Sequence, residues 1–181
     1  MFHVPLYTKR LKLRLVTPEI YEKVFELPKT DIMDFFGIST DEELSEEKER
    51  LERGLQSFNK TFLYFQLIEK ESDTVIGWCG YHTWYTQHDR AEIGYGLVSG
   101  QYMRKGIMTE ALSSVIEYGF DEMNLHRIEA FASPTNVPSV KLLEAHNFQK
   151  EGVLKEHYLK DGIYEDSAVY GLIKTSANAE K

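Results

Sequence analysis

The residues with the strongest chemical signature are Tyr102-Met-Arg-Lys-Gly-Ile-Met-Thr-Glu-Ala111, a basic stretch around Gly106 that runs into an apolar-periodic segment. From Ile107 to Met123 the residues Ile107, Met108, Ala111, Leu112, Val115, Ile116, Phe120 and Met123 recur at spacings of three and four, which predicts an amphipathic helix packed on a sheet. The first turn of such a helix carries N–H groups without intrahelical acceptors and the positive end of the macrodipole. Gly106, Ile107, Met108 and Thr109 can therefore offer donors to one negative group, and Gly106 lets the backbone curl close to it. Arg104 and Lys105 flank it with positive charge; charge-assisted bonds of this kind contribute about 1.5–3 kcal/mol each. The chemistry predicted is binding of a phosphate or pyrophosphate. The alternative is that Gly106 only opens a tight turn and the two cations form a solvated rim.

The segment before this loop, Arg90-Ala-Glu-Ile-Gly-Tyr-Gly-Leu97, alternates like a strand and holds Gly94 and Gly96 in its interior. Glycine inside a strand marks a bulge or a close approach by backbone or ligand, so this strand is expected to splay open. Gly94 and Gly96 do not make a dinucleotide fingerprint, because Ser99 stands at the third glycine position and no helix follows directly. A GxxxxGK[ST] loop is absent, which argues against a nucleoside-triphosphate site.

Taken in order, Ala-Glu-Ile-Gly-Tyr at 91–95, Arg-Lys-Gly-Ile-Met-Thr-Glu-Ala at 104–111, Leu-His-Arg-Ile-Glu at 125–129, and Asn-Val-Pro-Ser at 136–139 through Asn147-Phe148 resemble the GNAT acetyltransferases. The branch most resembled is the RimJ/RimL-like ribosomal-protein N-acetyltransferases. Thr8-Lys-Arg-Leu-Lys-Leu-Arg14 and Gly162-Ile-Tyr-Glu-Asp-Ser-Ala-Val-Tyr170 extend the resemblance over about residues 8–173. It implies that the anion is the pyrophosphate of acetyl-CoA, surrounded by Met103, Arg104, Lys105, Gly106, Ile107, Met108 and Thr109. It further implies that Gly96, Leu97 and Val98 pair with the pantetheine amides and that Asn136 holds the pantetheine arm, unless Asn136 only caps a helix. An N–H near Gly96 or Leu97 would meet the oxyanion.

Amide formation needs a neutral amine. At pH 7 deprotonation costs about 1 kcal/mol for an α-amino group and roughly 4–5 kcal/mol for a lysine. A base helps, and the resemblance assigns that role to Glu92, directly or through water; the alternative for Glu92 is a structural ion pair. Ser139 falls where the resembled branch carries its acid, although a Ser beside Pro138 also suits a helix cap. The sequence departs from the family at Met103, Met108, Leu143 and Asn147. Leu143 removes a tyrosine many members use as acid, whereas Asn147 after a helix is the next best residue to Gly in a left-handed turn.

The elements that must position these residues are read from periodicity. Strands are expected at Leu11 to Leu15, Phe62 to Glu69, Val75 to Thr83, Arg90 to Val98 and Arg127 to Ala132, with two more between Gln149 and Ile173 and a turn at Glu71-Ser-Asp73. Helices are expected at Pro18 to Leu27, Asp41 to Phe58 (with Leu44, Leu51 and Leu55 on one seam), Ile107 to Met123 and Pro138 to His146. The fold class is α/β (α+β), the GNAT fold: a mixed, mostly antiparallel sheet of about seven strands, splayed in the middle, with helices on both faces. At 181 residues a single N-acetyltransferase domain over 1–181 is expected, with an ordered core of about 8–174 and a polar C-terminal tail.

Net charge is −8, which argues against nucleic acid and suits a cationic acceptor or merely solubility. Lone Cys79, the absence of a signal-like start and the absence of a long apolar run point to a cytoplasmic protein without disulfide or membrane span. The six histidines have no ligand spacing, so no metal is expected. Trp78, Tyr81, Trp84, Tyr85 and Tyr95 are candidates for an acceptor pocket or for core, and residues 27–40 and 84–89 for acceptor loops. The expected activity is acetyl-CoA-dependent N-acetylation of a primary amine, foremost a protein N-terminal α-amino group, by a monomer or homodimer. Alternatives are a small amine (polyamine, amino acid or aminoglycoside) as acceptor, or a noncatalytic acetyl-CoA sensor.

Overall fold

The computed structural model describes residues 5–55 and 60–175. Eight strands form one sheet: β1 (Leu6–Tyr7), β2 (Leu11–Val16), β3 (Thr61–Glu69), β4 (Thr74–Tyr85), β5 (Arg90–Leu97), β6 (Arg127–Ala132), β7 (Gln149–Lys160) and β8 (Ile163–Ile173). Their order is β1-β2-β3-β4-β5-β6-β8-β7, and only β5 and β6 run parallel. The eighth strand beyond the expected seven is β1, a two-residue edge piece paired through Leu6↔Leu13. Helices α1 (Pro18–Val24), α2 (Lys29–Phe36), α3 (Asp41–Glu52), α4 (Ile107–Asp121) and α5 (Val137–Ala145) complete the fold.

Alternation along β3 shows how the layers arise. Leu63, Phe65 and Leu67 enter one core with Ile107, Ala111, Leu112 and Val115 of α4 and Leu143 of α5. Phe62 and Tyr64 point the other way, into a second core with Tyr21 and Val24 of α1, Ile32 and Phe36 of α2 and Leu44 of α3. Helices therefore cover both faces, as the pattern requires.

Local chemistry explains most boundaries. Thr17 caps α1 with Pro18 at its first turn, and Thr40 and Glu43 make a reciprocal capping box on α3. Asp73 adopts φ 50 in the β3–β4 turn, and Asn147 adopts φ 64 after α5, the left-handed stop expected for it. Two expectations are corrected. Residues 27–40 are not a loop but contain α2, which starts after Pro28, buries Ile32 and Phe36 four residues apart, and stops at left-handed Gly37. Helix α3 ends at Glu52 rather than Phe58; Leu44 is buried and Leu51 and Leu55 pack beside it, while residues 56–58 lie outside the described residues.

The feature that positions the site is the short contact between β5 and β6. Their parallel ladder holds only Arg90↔Arg127, Ala91↔Ile128 and Glu92↔Glu129, and beyond Glu92 the two strands diverge. Side chains pin the closed end: Arg90 Nη1 donates to Glu129 Oε2 (2.7 Å), Arg127 Nε to Glu129 Oε1 (2.8 Å), and Arg127 Nη1 to Glu151 Oε1 (2.8 Å). Bonds from Glu151, with those from Glu129, raise the Arg127 guanidinium pKa against the cost of burial, so Arg127 keeps its charge.

Candidate active site

A cleft of about 840 Å³ opens where β5 leaves β6. It is lined by β5 from Glu92 to Leu97, the Tyr102–Thr109 loop region, Ala130 to Ser133, Asn136, Ser139 and the β7–β8 hairpin. Every residue assigned from the sequence to catalysis or cosubstrate binding except Val98 and Lys105 is on this lining, and those two flank it in the chain.

The loop before α4 leaves a row of amides without acceptors. Gly106 takes φ 70 as the residue preceding α4, a left-handed conformation that L side chains rarely adopt, and Arg104 is also left-handed at φ 58. Among the described residues the N–H groups of Arg104, Lys105, Gly106, Ile107, Met108 and Thr109 have no protein acceptor; the first helical bond runs from Glu110 N–H to the Gly106 carbonyl. Met103 is a correction, since its N–H already donates to the Gly100 carbonyl at 3.0 Å. The loop is braced from β2: Arg10 Nη1 donates to the Lys105 carbonyl at 2.7 Å. Arg10 Nε and backbone N–H each reach Glu110 at 2.7 Å, joined by the Thr8 hydroxyl. Burial pushes the Glu110 carboxyl up, but the bonds from Thr8 and Arg10 outweigh it and hold the group below the usual carboxylate range. This is the structural content of the Thr8–Arg10 segment.

The glycines of β5 serve a purpose other than the one expected. A Cβ on Gly94 would lie 2.6 Å from His82 Cδ2 and 2.9 Å from Trp78, and one on Gly96 would lie 3.0 Å from Trp78 Nε1. They admit two side chains of β4 across the strand, so β5 stays paired with β4 through Leu97 and opens only toward β6. Val98 N–H donates to the Ile76 carbonyl at 3.1 Å, which fixes the alternation of the ladder. Gly96 and Val98 therefore turn their amides toward β4, while Tyr95 and Leu97 turn theirs into the gap. Of the pairing and oxyanion donors expected at Gly96, Leu97 and Val98, Leu97 alone faces the gap.

Glu92 ends the parallel ladder and stands at the vertex, its side chain 25% exposed. Its Oε1 lies 3.3 Å from His82 Nε2. His82 is the extra residue of a bulge in β4, between the pairs Tyr81↔Ile93 and Thr83↔Glu92, and a bulge redirects a side chain. Sequence reading missed His82; a bulge leaves no mark in an alternating run. On the opposite sheet face Ser139 sits in the first turn of α5. Asn136 is the cap there, its Oδ1 accepting from Ser139 N–H at 3.3 Å, so the Ser139 hydroxyl is not spent on the helix end. That hydroxyl instead meets the Tyr95 phenol at 2.7 Å. Burial raises the Tyr95 pKa, opposed in part by the Ser139 bond.

The far end of the cleft is formed by the β7–β8 hairpin. Residues 27–40 and 84–89 do not line the cleft; Tyr158, Lys160, Glu165, Asp166 and Ser167 of the β7–β8 hairpin do. The hairpin turns at Asp161 (φ 50) and Gly162 (φ 78), an Asp-Gly pair whose signature was available in the sequence. Of the five aromatic candidates, Trp78 and Tyr95 line the cleft, Tyr81 is fully buried with its hydroxyl on the Val115 carbonyl (2.8 Å), Trp84 packs on the core, and Tyr85 stacks on Arg90. Cys79 is buried and its thiol pKa is pushed well above the ordinary value by desolvation, so it is no nucleophile. Among the described residues no helix is long and apolar enough to cross a membrane.

A sheet opened between two parallel strands, with unpaired amides at the adjoining helix start, leaves a cleft that offers hydrogen-bond donors to an anion. The chain belongs to the GNAT acetyltransferase family: residues 10–149 match the model described as Acetyltransferase (GNAT) domain. It is similar to Uncharacterized N-acetyltransferase p20 of Bacillus licheniformis, with 35% identity over 175 residues covering 93% of this chain and 96% of that protein. It is 32% identical over 110 residues to the ribosomal protein uS5-alanine N-acetyltransferase of Escherichia coli, covering 60% of this chain and 56% of that one. In fold it matches the Ribosomal-protein-S5-alanine Acetyltransferase of Vibrio fischeri (TM-score 0.67, 24% identity, 96% and 98% covered). It also matches the spermidine N-acetyltransferase of Vibrio cholerae (TM-score 0.66, 20% identity, 95% and 99% covered). The protein is an N-acetyltransferase, and enzymes of this family use acetyl-CoA as cosubstrate.

Proposed function

We propose that this chain transfers the acetyl group of acetyl-CoA to the α-amino group of a protein N-terminus, in the manner of a ribosomal-protein N-acetyltransferase. The observation that carries the reading is the set of unpaired amides from Arg104 to Thr109 at one end of the cleft, with Glu92 at its vertex and an exposed hairpin at the other end. The six amides, Arg104 and Lys105 suit a diphosphate, and left-handed Gly106 leaves it room. Leu97, with N–H and C=O turned into the gap, suits pairing with an extended amide chain such as pantetheine. Asn136 caps the helix through Oδ1 alone, so its two Nδ2–H donors suit a carbonyl of such a chain.

Glu92 is the base. An α-amino group needs about 1 kcal/mol to deprotonate at pH 7, within reach of one carboxylate and a water, whereas lysine needs several times more. Ser139, on the other face, assists the departing thiolate. The similarity to the uS5-alanine enzyme favours a peptide N-terminus. So does the open acceptor end, where Tyr158 is 64% exposed and able to bound a chain rather than enclose a small molecule. The spermidine N-acetyltransferase neighbour, with Glu165 and Asp166 on the lining, gives a polyamine as the second reading. Thiol release measured over N-terminal peptides and free polyamines tests both. Preference for peptides beginning with a small residue supports the first, preference for spermidine supports the second, and coenzyme A binding without turnover on any amine contradicts both.

A further inference from the structure

We propose that Tyr95 is a positioning residue: its phenol donates to Ser139 Oγ and thereby aims the Ser139 hydrogen at the leaving sulfur. The inference rests on reading Ser139 as the group that assists the thiolate. Tyr95 projects from β5 on the face covered by α4 and α5, spans the gap beyond the last β5–β6 pair, and reaches Ser139 at 2.7 Å. It thus links the two walls where the strands themselves no longer touch. Leu143, where many family members carry a tyrosine, is fully buried in the core and offers no proton. The phenol that reaches α5 comes from the opposite wall and meets Ser139, one turn before Leu143.

Direction follows from chemistry. A phenol is a stronger acid than an aliphatic hydroxyl, so Tyr95 is the better donor of the pair. Burial raises its pKa, so it stays protonated through the neutral range, and Cys79 and Tyr170, the other titratable groups acting on it, add to the rise. With the phenol as donor at 2.7 Å, Ser139 Oγ accepts from Tyr95 and its own hydrogen remains for the cleft. When the C–S bond breaks, its electron pair stays on sulfur. The Ser139 hydroxyl stabilises that charge by a hydrogen bond, Tyr95 keeps its proton, and the thiolate takes one from water once released. The proton lost by the amine leaves through Glu92.

The test needs no acceptor. The thiol pKa of coenzyme A bound to the full chain is read from thiolate ultraviolet absorbance, against the complex with desulfo-coenzyme A. For the unmodified protein it should lie below the free value of about 8.5. Ser139→Ala should return it toward that value, Tyr95→Phe should raise it by about 0.7 unit for one neutral hydrogen bond, and the double variant should match Ser139→Ala alone. Coenzyme A affinity at pH 6, where the thiol is protonated, should be equal in all four proteins and certifies the fold. If Ser139→Ala leaves the thiol pKa unmoved, the reading of Ser139 falls and the proposal with it. If Ser139→Ala moves it but Tyr95→Phe does not, or the two effects add in the double variant, only the role of Tyr95 is overturned.

Discussion

The two ends of the cleft are made of different materials. The end at α4 is backbone: six unpaired amides, a left-handed glycine and a carbonyl braced by Arg10. The end toward the β7–β8 hairpin is side chain: His82 on a bulge, Trp78 over bare strand, and Tyr158, Glu165 and Asp166 on an exposed arm. A backbone site binds any ligand carrying the right charge and tolerates side-chain exchange, which explains how Met103 and Met108 stand where the family prefers other residues. A side-chain site changes partner with each substitution. Under the proposed function the cosubstrate is fixed by fold while the acceptor is set by details of surface.

Breaking the vertex between the two ends gives the largest effect. Glu92→Gln should lower kcat about 100-fold or more, the ordinary span for a general base, with coenzyme A affinity unchanged by calorimetry. A loss of less than about threefold, well below that span, would return Glu92 to a structural partner of His82. Next, Gly106→Val should raise the acetyl-CoA KM about 10- to 100-fold by misaligning one or two charge-assisted bonds, with kcat at saturation little changed. An unmoved KM would mean the loop does not hold the diphosphate.

Smaller effects sharpen the contrast. Arg10→Ala should raise the acetyl-CoA KM about three- to fivefold, the worth of a part-exposed ion pair and its carbonyl contact. It should also remove an acid-sensitive part of stability. The folded pKa of Glu110 lies below its unfolded value of about 4.3, so its clamp stabilises fully above that pH and is lost as pH falls through the lower folded value. Melting curves between pH 6 and pH 3 should converge for the two proteins. Tyr158→Ala should act on the acceptor alone, raising its KM roughly twofold for about 0.5 kcal/mol of aromatic contact, while the acetyl-CoA KM stays put.

The same contrast governs how much could be read before the structure. The α4 end was legible because each requirement leaves a residue type behind: glycine where φ is positive, cations beside it, apolar residues at helical spacing after it. The strand pattern around Glu92 was legible for the same reason. Helix α2 was hidden because it follows Pro28 and holds one buried turn, Ile32 to Phe36, too short for periodicity to stand out. His82 was hidden because a bulge inserts one residue without altering composition. The purpose of Gly94 and Gly96 was misassigned because a strand glycine signals close approach but not by what, and here Trp78 and His82 approach. Whether an amide of β5 faces the gap or β4 depends on ladder parity, which only the Val98–Ile76 bond reveals.

The central claim, that the amides from Arg104 to Thr109 grip the carrier's diphosphate, is tested most directly by amide NMR of the full chain titrated with coenzyme A and, separately, with pantetheine. Coenzyme A should shift these six N–H resonances strongly downfield at saturation, and pantetheine, which lacks the diphosphate, should leave them in place while moving Leu97. Coenzyme A that binds without disturbing the six amides would contradict the account.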